Sequence, residues 1–432
     1  MEYRQQSKVK NINAKFSTYK NNTHNIATMK NIKSFIRGDK IIWVVLILLS
    51  FVSLVEVFSS IGKHAHDRDI ATFFLLFKHF RIICFTYLVI VFISHINYRK
   101  FEQLSPIGYF ISIILLVAAL FMYKAGYSDK AAGRWIEIPF LGQLQPSEIA
   151  KYLLILFIAR FLTNSQDTIK EKKTFYLTLG AIGLIAGLIF PQNLSTAGII
   201  FVCCFVMMLL GNVNKKYWTI VAGICTLIFV AGLTFLTLEY NSGELEKDEV
   251  MRTATWGGRI SEWLDEDLDK NTQRNIALRA VAMGGLIGNQ PGSTIQGRLL
   301  SESHNDFIYA IIIEELGALG GIAILLLYTI LFYRCVVIAG KSNNLFKVLT
   351  VSGLGLNIYL QALINMGVAV GYLPVTGQTL PFVSYGGTSY ILSGCAIGII
   401  QSIAHSNNLS NNNEEILEDK NEENINDNNK KQ

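Results

Sequence analysis

Apolar residues recur along the chain in long blocks, at about 41–61, 76–96, 106–123, 146–163, 174–190, 196–211, 217–238, 307–333, 346–368 and 384–405. Each block is close to the ~20 residues that cross a bilayer as a helix. The pattern predicts an all-α, polytopic membrane protein of about ten transmembrane helices, with one large extracytoplasmic loop, residues 239–306, between spans seven and eight. Residues 1–40 are polar and rich in Asn and Lys, and 406–432 are acidic and Asn-rich. Neither has the apolar content to bury a core, so a disordered basic arm and a disordered tail are expected to flank a membrane domain over 41–405.

Charge orients this domain. With the amino terminus inside, the short inner loops hold Arg99 and Lys100, then Lys170, Lys172 and Lys173, then Lys215 and Lys216, then Arg334, Lys341 and Lys347. Basic inner loops are what the positive-inside rule requires, and both termini are then cytoplasmic. The outer loop with Lys124, Lys130 and Arg134 breaks the rule, which suggests cations kept for a purpose. Only 16% of the 432 residues are charged, against about 25% in soluble chains. The net charge of +6 comes from the amino-terminal arm and the short loops, and the arm reads as a membrane-side anchor, not a nucleic-acid binder. The 6 cysteines fall in or beside apolar runs without metal-ligand spacing and read as small hydrophobes, giving neither disulfides nor a zinc site. His64 and His66 in KHAHD carry no assignment. The first apolar run follows a long polar arm and is itself long enough to span, which is unlike a cleaved signal peptide.

Four outer segments carry the candidate chemistry. In SESHNDFIYAIIIEELGALGG, Glu302, Ser303, His304, Asn305 and Asp306 pass directly into an apolar helix that carries Glu314 and Glu315. Carboxylates at membrane depth are costly and usually face a bundle interior or a water-filled cavity. Asp306 has two readings here: chemistry at the seam between cavity and bilayer, or the second half of an S-x-x-D capping box with Ser303. Glu314 and Glu315 are either structural or of undetermined role. In GRWIEIPFLGQLQPSEIAKY, Pro146 opens a helix on which Glu148 and Lys151 share a face. That pair either staples the helix start or presents Lys151 to a phosphate. PQNLSTAG is a turn between helices. The long loop holds Arg259 and Trp263, then a weakly amphipathic helix through Ala277, Ala280 and Val281 suited to the membrane surface. GGLIGNQPG lacks the Gly-Lys-Ser/Thr ending of a P-loop and reads as a flexible turn. GYLPVTGQTLPFVSYGGTSY, with Ser384, Gly386 and Gly387, is irregular backbone of the kind tolerated near a membrane when it lines a cavity.

These motifs, in this order, resemble the SEDS family (shape, elongation, division and sporulation) over roughly residues 40–405, on GRWI…QPSEIAK, ESHNDFIYAIIIEELG and LPVTGQTLPFVSYGGTS. The last motif is closer to the family's division members than to its elongation members. The resemblance implies a peptidoglycan glycosyltransferase that polymerises lipid II outside the cytoplasmic membrane, at the division septum. It would work beside a class B penicillin-binding protein transpeptidase and other divisome proteins. The family's proposed catalytic aspartate falls on Asp306, a general base for the acceptor hydroxyl. Arg134, Lys151 and Arg259 become candidates to stabilise the pyrophosphate leaving group, with Glu302, Ser384, Gly386 and Gly387 as further substrate-binding candidates. A divalent cation, Mg or Mn, is a possible addition, with no ligands assigned. Two departures stand out: Asn193 and Ser195 replace the family's usual acidic residue and glycine, and Asn305 replaces its Thr. No catalytic role is therefore carried onto the PQNLSTAG turn.

Two alternatives from other classes remain. A lipid II flippase would also need intramembrane charge and broken outer segments, although no inverted repeat is evident among the apolar runs. A scaffold for envelope proteins would leave the intramembrane charges unexplained. Within the polymerase reading, an elongation-type role is the runner-up.

Overall fold

A computed structural model describes residues 37–60, 72–124, 136–138, 142–214, 272–292, 294–300 and 305–430, with isolated positions between 216 and 263. The helices are α1 (Lys40–Ser60), α2 (Thr72–Ser94), α3 (Tyr98–Lys124), α4 (Pro146–Asn164), α5 (Lys172–Ile189), α6 (Leu194–Leu210), α7 (Gln273–Gly284), α8 (Ile308–Gly340), α9 (Leu345–Ala369) and α10 (Gly387–Lys430). A hairpin of β1 (Ile136–Ile138) and β2 (Gly142–Leu144), antiparallel with Ile136 opposite Leu144, is the only sheet among the described residues. A bilayer offers the backbone no hydrogen-bond partners, so apolar segments crossing it are driven to satisfy themselves as helices.

Among the described residues, seven helices are long and apolar enough to cross a membrane: α1, α2, α3, α5, α8, α9 and the Gly387–Ser410 part of α10. Two more, α4 and the shorter α6, occupy expected span positions; α4 carries Glu148, Lys151 and Arg160, and α6 has 17 residues. The span expected at 217–238 lies almost wholly outside the described residues, as do the arm up to residue 36 and both His64 and His66.

The interior is built from α4, α9, the start of α8 and the apolar part of α10, with Ile155, Ile158, Phe307, Ile312, Leu354, Ala362, Ile397 and Ile400 buried. Helix α9 packs on α4, α6 and α8, α2 packs along α10, and α3 packs along α4. The outer faces of α2 and α3 leave Phe85, Leu88, Phe92, Phe110, Ile114 and Phe121 exposed, as lipid-facing residues would be.

Helix α8 is 33 residues long, more than a bilayer needs, and it is broken at Gly317 (φ 74°, ψ −178°). That conformation is open essentially to glycine alone. The break frees backbone groups that the 285–290 segment satisfies. Ala318 N donates to the Gly285 carbonyl at 2.9 Å, and Asn289 N and Gln290 N donate to the Glu314 and Glu315 carbonyls at 3.1 Å each. GGLIGNQPG is therefore a fixed plug in a helix break, and a flexible turn is not what forms. Helix α7 docks on α8, with Ala277, Ala280 and Gly284 among its buried residues. Its small residues allow the approach: a Cβ on Gly284 would collide with the Ile313 carbonyl.

The two carboxylates that follow on α8 fasten the same outer segment. Glu314 accepts from Thr294 Oγ1 (2.7 Å), Ile295 N (2.7 Å) and Gln296 N (3.0 Å). Glu315 accepts from Gly292 N at 2.9 Å and from the Ser59 hydroxyl on α1. Both are buried and both accept hydrogen bonds from the protein's own backbone.

Candidate active site

Asp306 lies in the 305–307 turn before α8, half-buried, with Phe307 as N-cap and the helix beginning at Ile308. A capping box with Ser303 would put Asp306 at the third helical position. The helix starts beyond Asp306 instead, and Ser303, the other half of that box, lies outside the described residues.

The turn is held by its main chain. Asn365 Nδ2, on α9, donates to the Asp306 carbonyl at 2.8 Å and to the Gln378 carbonyl at 2.7 Å. Ser384 Oγ donates to the Asn305 carbonyl at 2.7 Å and accepts from Leu380 N at 2.7 Å. The 378–384 loop is thereby the scaffold on which Asp306 sits. Other elements grip the loop in turn. Ser53 Oγ on α1 donates to the Val383 carbonyl at 2.7 Å, and the Tyr328 hydroxyl on α8 donates to the Pro381 carbonyl. Because the Ser53 proton is committed to Val383, His79 Nε2, 2.8 Å from Ser53 Oγ, must carry the proton in that contact. Phe382, buried between these anchors, has φ 64°, a conformation costing about 1–3 kcal/mol that persists only where surroundings enforce it.

One turn along α9 from Asn365, Gln361 grips the same loop. Its Nε2 donates to the Thr379 carbonyl at 3.1 Å, and its Oε1 accepts from Lys151 Nζ at 2.7 Å. Lys151 is 1% exposed and also meets Glu148 Oε2 at 2.7 Å, with its ammonium 5.0 Å from the Tyr152 ring centre. This ammonium, a candidate for the pyrophosphate, is enclosed by Gln361, Glu148 and the Tyr152 ring. It is linked to the Asp306 turn through Gln361 and the loop.

Gln378 closes the cluster from the other side, its Nε2 within 3.3 Å of Asn193 Oδ1, 3.0 Å of Ser195 Oγ and 2.9 Å of Thr196 Oγ1. Asn193 also caps α6, accepting from Thr196 N at 3.2 Å. Arg259 Nη1 donates to the Val375 carbonyl at 3.3 Å, and Trp263 Nε1 donates to the Gly371 carbonyl at 3.0 Å, which ties these two side chains to the α9–α10 loop.

Of the sequence-derived candidates, Ser384 is brought to the Asp306 turn and Arg259 to the same loop, while Arg134 and Glu302 lie outside the described residues. A Cβ at Gly386 or Gly387 would meet its nearest neighbour at 3.9 Å, an ordinary van der Waals contact. Neither glycine is demanded by packing, and each leaves backbone approachable. Gln361, Asn365 and Gln378 were not singled out from sequence. The signal was there, since Asn357, Gln361 and Asn365 recur every fourth residue within an apolar run and so share one helix face.

No three His, Cys, Asp or Glu side chains among the described residues converge as a metal site. A divalent ion here would draw most of its ligands from substrate phosphates and water, as Mg commonly does.

The FtsW/RodA/SpoVE family model, described as a cell cycle protein, matches residues 39–409. A "Probable peptidoglycan glycosyltransferase FtsW" of Coxiella burnetii is 30% identical over 381 residues, covering 86% of this chain and 98% of the relative. Stage V sporulation protein E of Bacillus subtilis is 29% identical, covering 85% and 96%. Among solved structures, a chain of a peptidoglycan synthase complex that coordinates polymerization and crosslinking superposes with TM-score 0.68 at 22% identity, covering 86% of this chain and 98% of that one. The rod shape determining protein RodA of Thermus thermophilus gives 0.57 at 20%, covering 84% and 96%. With the family match running from Asp39 through the end of the last apolar helix, this chain belongs to the FtsW/RodA/SpoVE family.

Proposed function

We propose that this protein is a peptidoglycan glycosyltransferase of the division type, which polymerises lipid II with Asp306 as general base. The observation that carries the catalytic assignment is the holding of Asp306. Two side chains, Asn365 and Ser384, take the main-chain carbonyls of residues 306 and 305, which fixes the turn through its backbone at the seam where α8 begins. A sugar hydroxyl is a weak nucleophile until a positioned base takes its proton. In the reaction, the acceptor 4-hydroxyl loses its proton to Asp306 as its oxygen attacks the donor anomeric carbon. The bond from that carbon to the lipid pyrophosphate breaks, and the pyrophosphate leaves with the electron pair. A single displacement inverts an α-linked donor to a β-linked glycan, so one carboxylate suffices. Arg259, on the 371–375 segment, and Arg134 are the cations proposed to face the leaving group. The division role rests on the names of the relatives, and a class B transpeptidase partner on the synthase complex that shares the fold.

The basic loops near Arg99, Lys170 and Lys347 support a cytoplasmic position for that end of the bundle and an outer one for Asp306. The experiment is lipid II polymerisation by purified protein, alone and with its cognate transpeptidase, with a moenomycin control. Glycan chains that form with wild type and fail with Asp306→Asn support the reading. Polymer made equally by both proteins would remove Asp306 from it.

A further inference from the structure

At the end of the bundle away from Asp306 lies a recess of about 320 Å3 that the reaction does not use. Three elements form it: Arg37 ahead of α1, the Ser94–Tyr98 link between α2 and α3, and the 402–410 part of α10. Arg334, on the order of 40 Å along α8 from Asp306, marks the same end by pairing with Asp39. The lining is polar and basic: Arg37, His95 and His405 stand with serine hydroxyls, Asn97 and Tyr98, and no carboxylate is among the lining residues. Lys347 sits just behind the wall. Its Nζ lies 4.7 Å from the Tyr98 ring centre and donates to Ser406 Oγ at 3.0 Å. Ser406 accepts that proton and keeps its own for a further acceptor.

We infer that this recess binds the phosphate of an anionic phospholipid from the surrounding leaflet. Ser94, Ser402 and Ser410 commit their protons to the Val91, Ile96 and Ser406 carbonyls, so the donors for a phosphate are the Arg37 guanidinium, the His405 imidazole and the Ser406 hydroxyl, with a lysine charge behind them. What favours a lipid over free phosphate is the approach. Phe85, Leu88 and Phe92 are 51%, 64% and 70% exposed on one face of α2, and His95 continues that face into the recess. An acyl chain lying along this stripe delivers its headgroup to Arg37. The inference concerns lipid retention and is independent of the polymerase reading.

The test is native mass spectrometry of the full-length protein in detergent, with phosphatidylglycerol or phosphatidylcholine of matched chains added. The wild type retains one phosphatidylglycerol in preference to phosphatidylcholine. Arg37→Gln weakens that retention about tenfold or more, the loss expected for one charge-assisted contact. Ser410→Glu, at an exposed position on the rim, does the same by repulsion while the helix content stays at the wild-type level. Equal retention of the two lipids, or a preference that survives both substitutions, overturns the inference. Displacement of the lipid by millimolar inorganic phosphate also overturns it, since the recess would then be a free-phosphate site.

Discussion

Asn365 and Asp306, 59 residues apart in sequence, are joined by one hydrogen bond from the Asn365 amide to the Asp306 main-chain carbonyl. The same amide group holds the Gln378 carbonyl, so one side chain of α9 sets the aspartate turn against the 378–384 loop. Position and chemistry are thereby separable. The carbonyl at residue 306 locates the turn, and the carboxylate is the group proposed as general base.

That separation makes Asp306→Asn a sharp test. Asn keeps the main-chain carbonyl and nearly the same shape, so the unfolding midpoint should stay within error of wild type. Polymerisation should fall about a hundredfold or more, the usual scale for losing a general base. The checks are lipid II polymerisation and thermal unfolding of the same preparation.

Asn365→Leu should fail differently. It leaves two buried carbonyls without a donor, at about 1–3 kcal/mol each, so a lower unfolding midpoint accompanies the loss of rate. A midpoint unchanged from wild type would mean that the amide does not hold the turn.

The contrast shows what the sequence carries and what it hides. The spans are legible because hydropathy is local, and Asp306 stands out as a candidate because a carboxylate at a membrane seam is rare and the family resemblance falls on it. The role of Asn365 is not, since it depends on residues 59 and 13 positions away. The same holds for Gln378, whose contacts at Asn193 and Thr196 lie more than 180 residues off in sequence. GGLIGNQPG looks like a loose turn because its partners, the groups freed by the break at Gly317, exist only once α8 is folded. Lys151 looks available for a phosphate because nothing local announces Gln361 beside it.

Gly317→Ala should release the plug. The glycine has φ 74° and ψ −178°, and an added Cβ would collide with the Leu286 carbonyl. The backbone conformation alone costs about 1–3 kcal/mol for alanine. Hydrogen exchange should rise over residues 285–296, where Glu314 and Glu315 hold the outer segment, more than in α9. Unchanged protection there would show that the break is not what anchors the segment.

The buried pair of Lys151 and Glu148 decides whether a cation in α4 serves folding or chemistry. The two side chains meet at 2.7 Å, both almost fully buried, and Gln361 takes a second lysine proton. Removing one partner of such a pair strands the other charge, at about 3–5 kcal/mol, whereas replacing both with apolar groups is often neutral. Lys151→Met should therefore lower the unfolding midpoint sharply, and adding Glu148→Leu should recover most of the loss. The enclosed geometry predicts that polymerisation follows stability, falling in the single variant and returning substantially in the double one. A residue that touches the pyrophosphate would behave otherwise, because no change at Glu148 can replace a missing cation opposite the leaving group. The double-mutant cycle, run in parallel on unfolding midpoint and polymerisation rate, separates the two. Stability that recovers while the rate stays low would return Lys151 to the substrate.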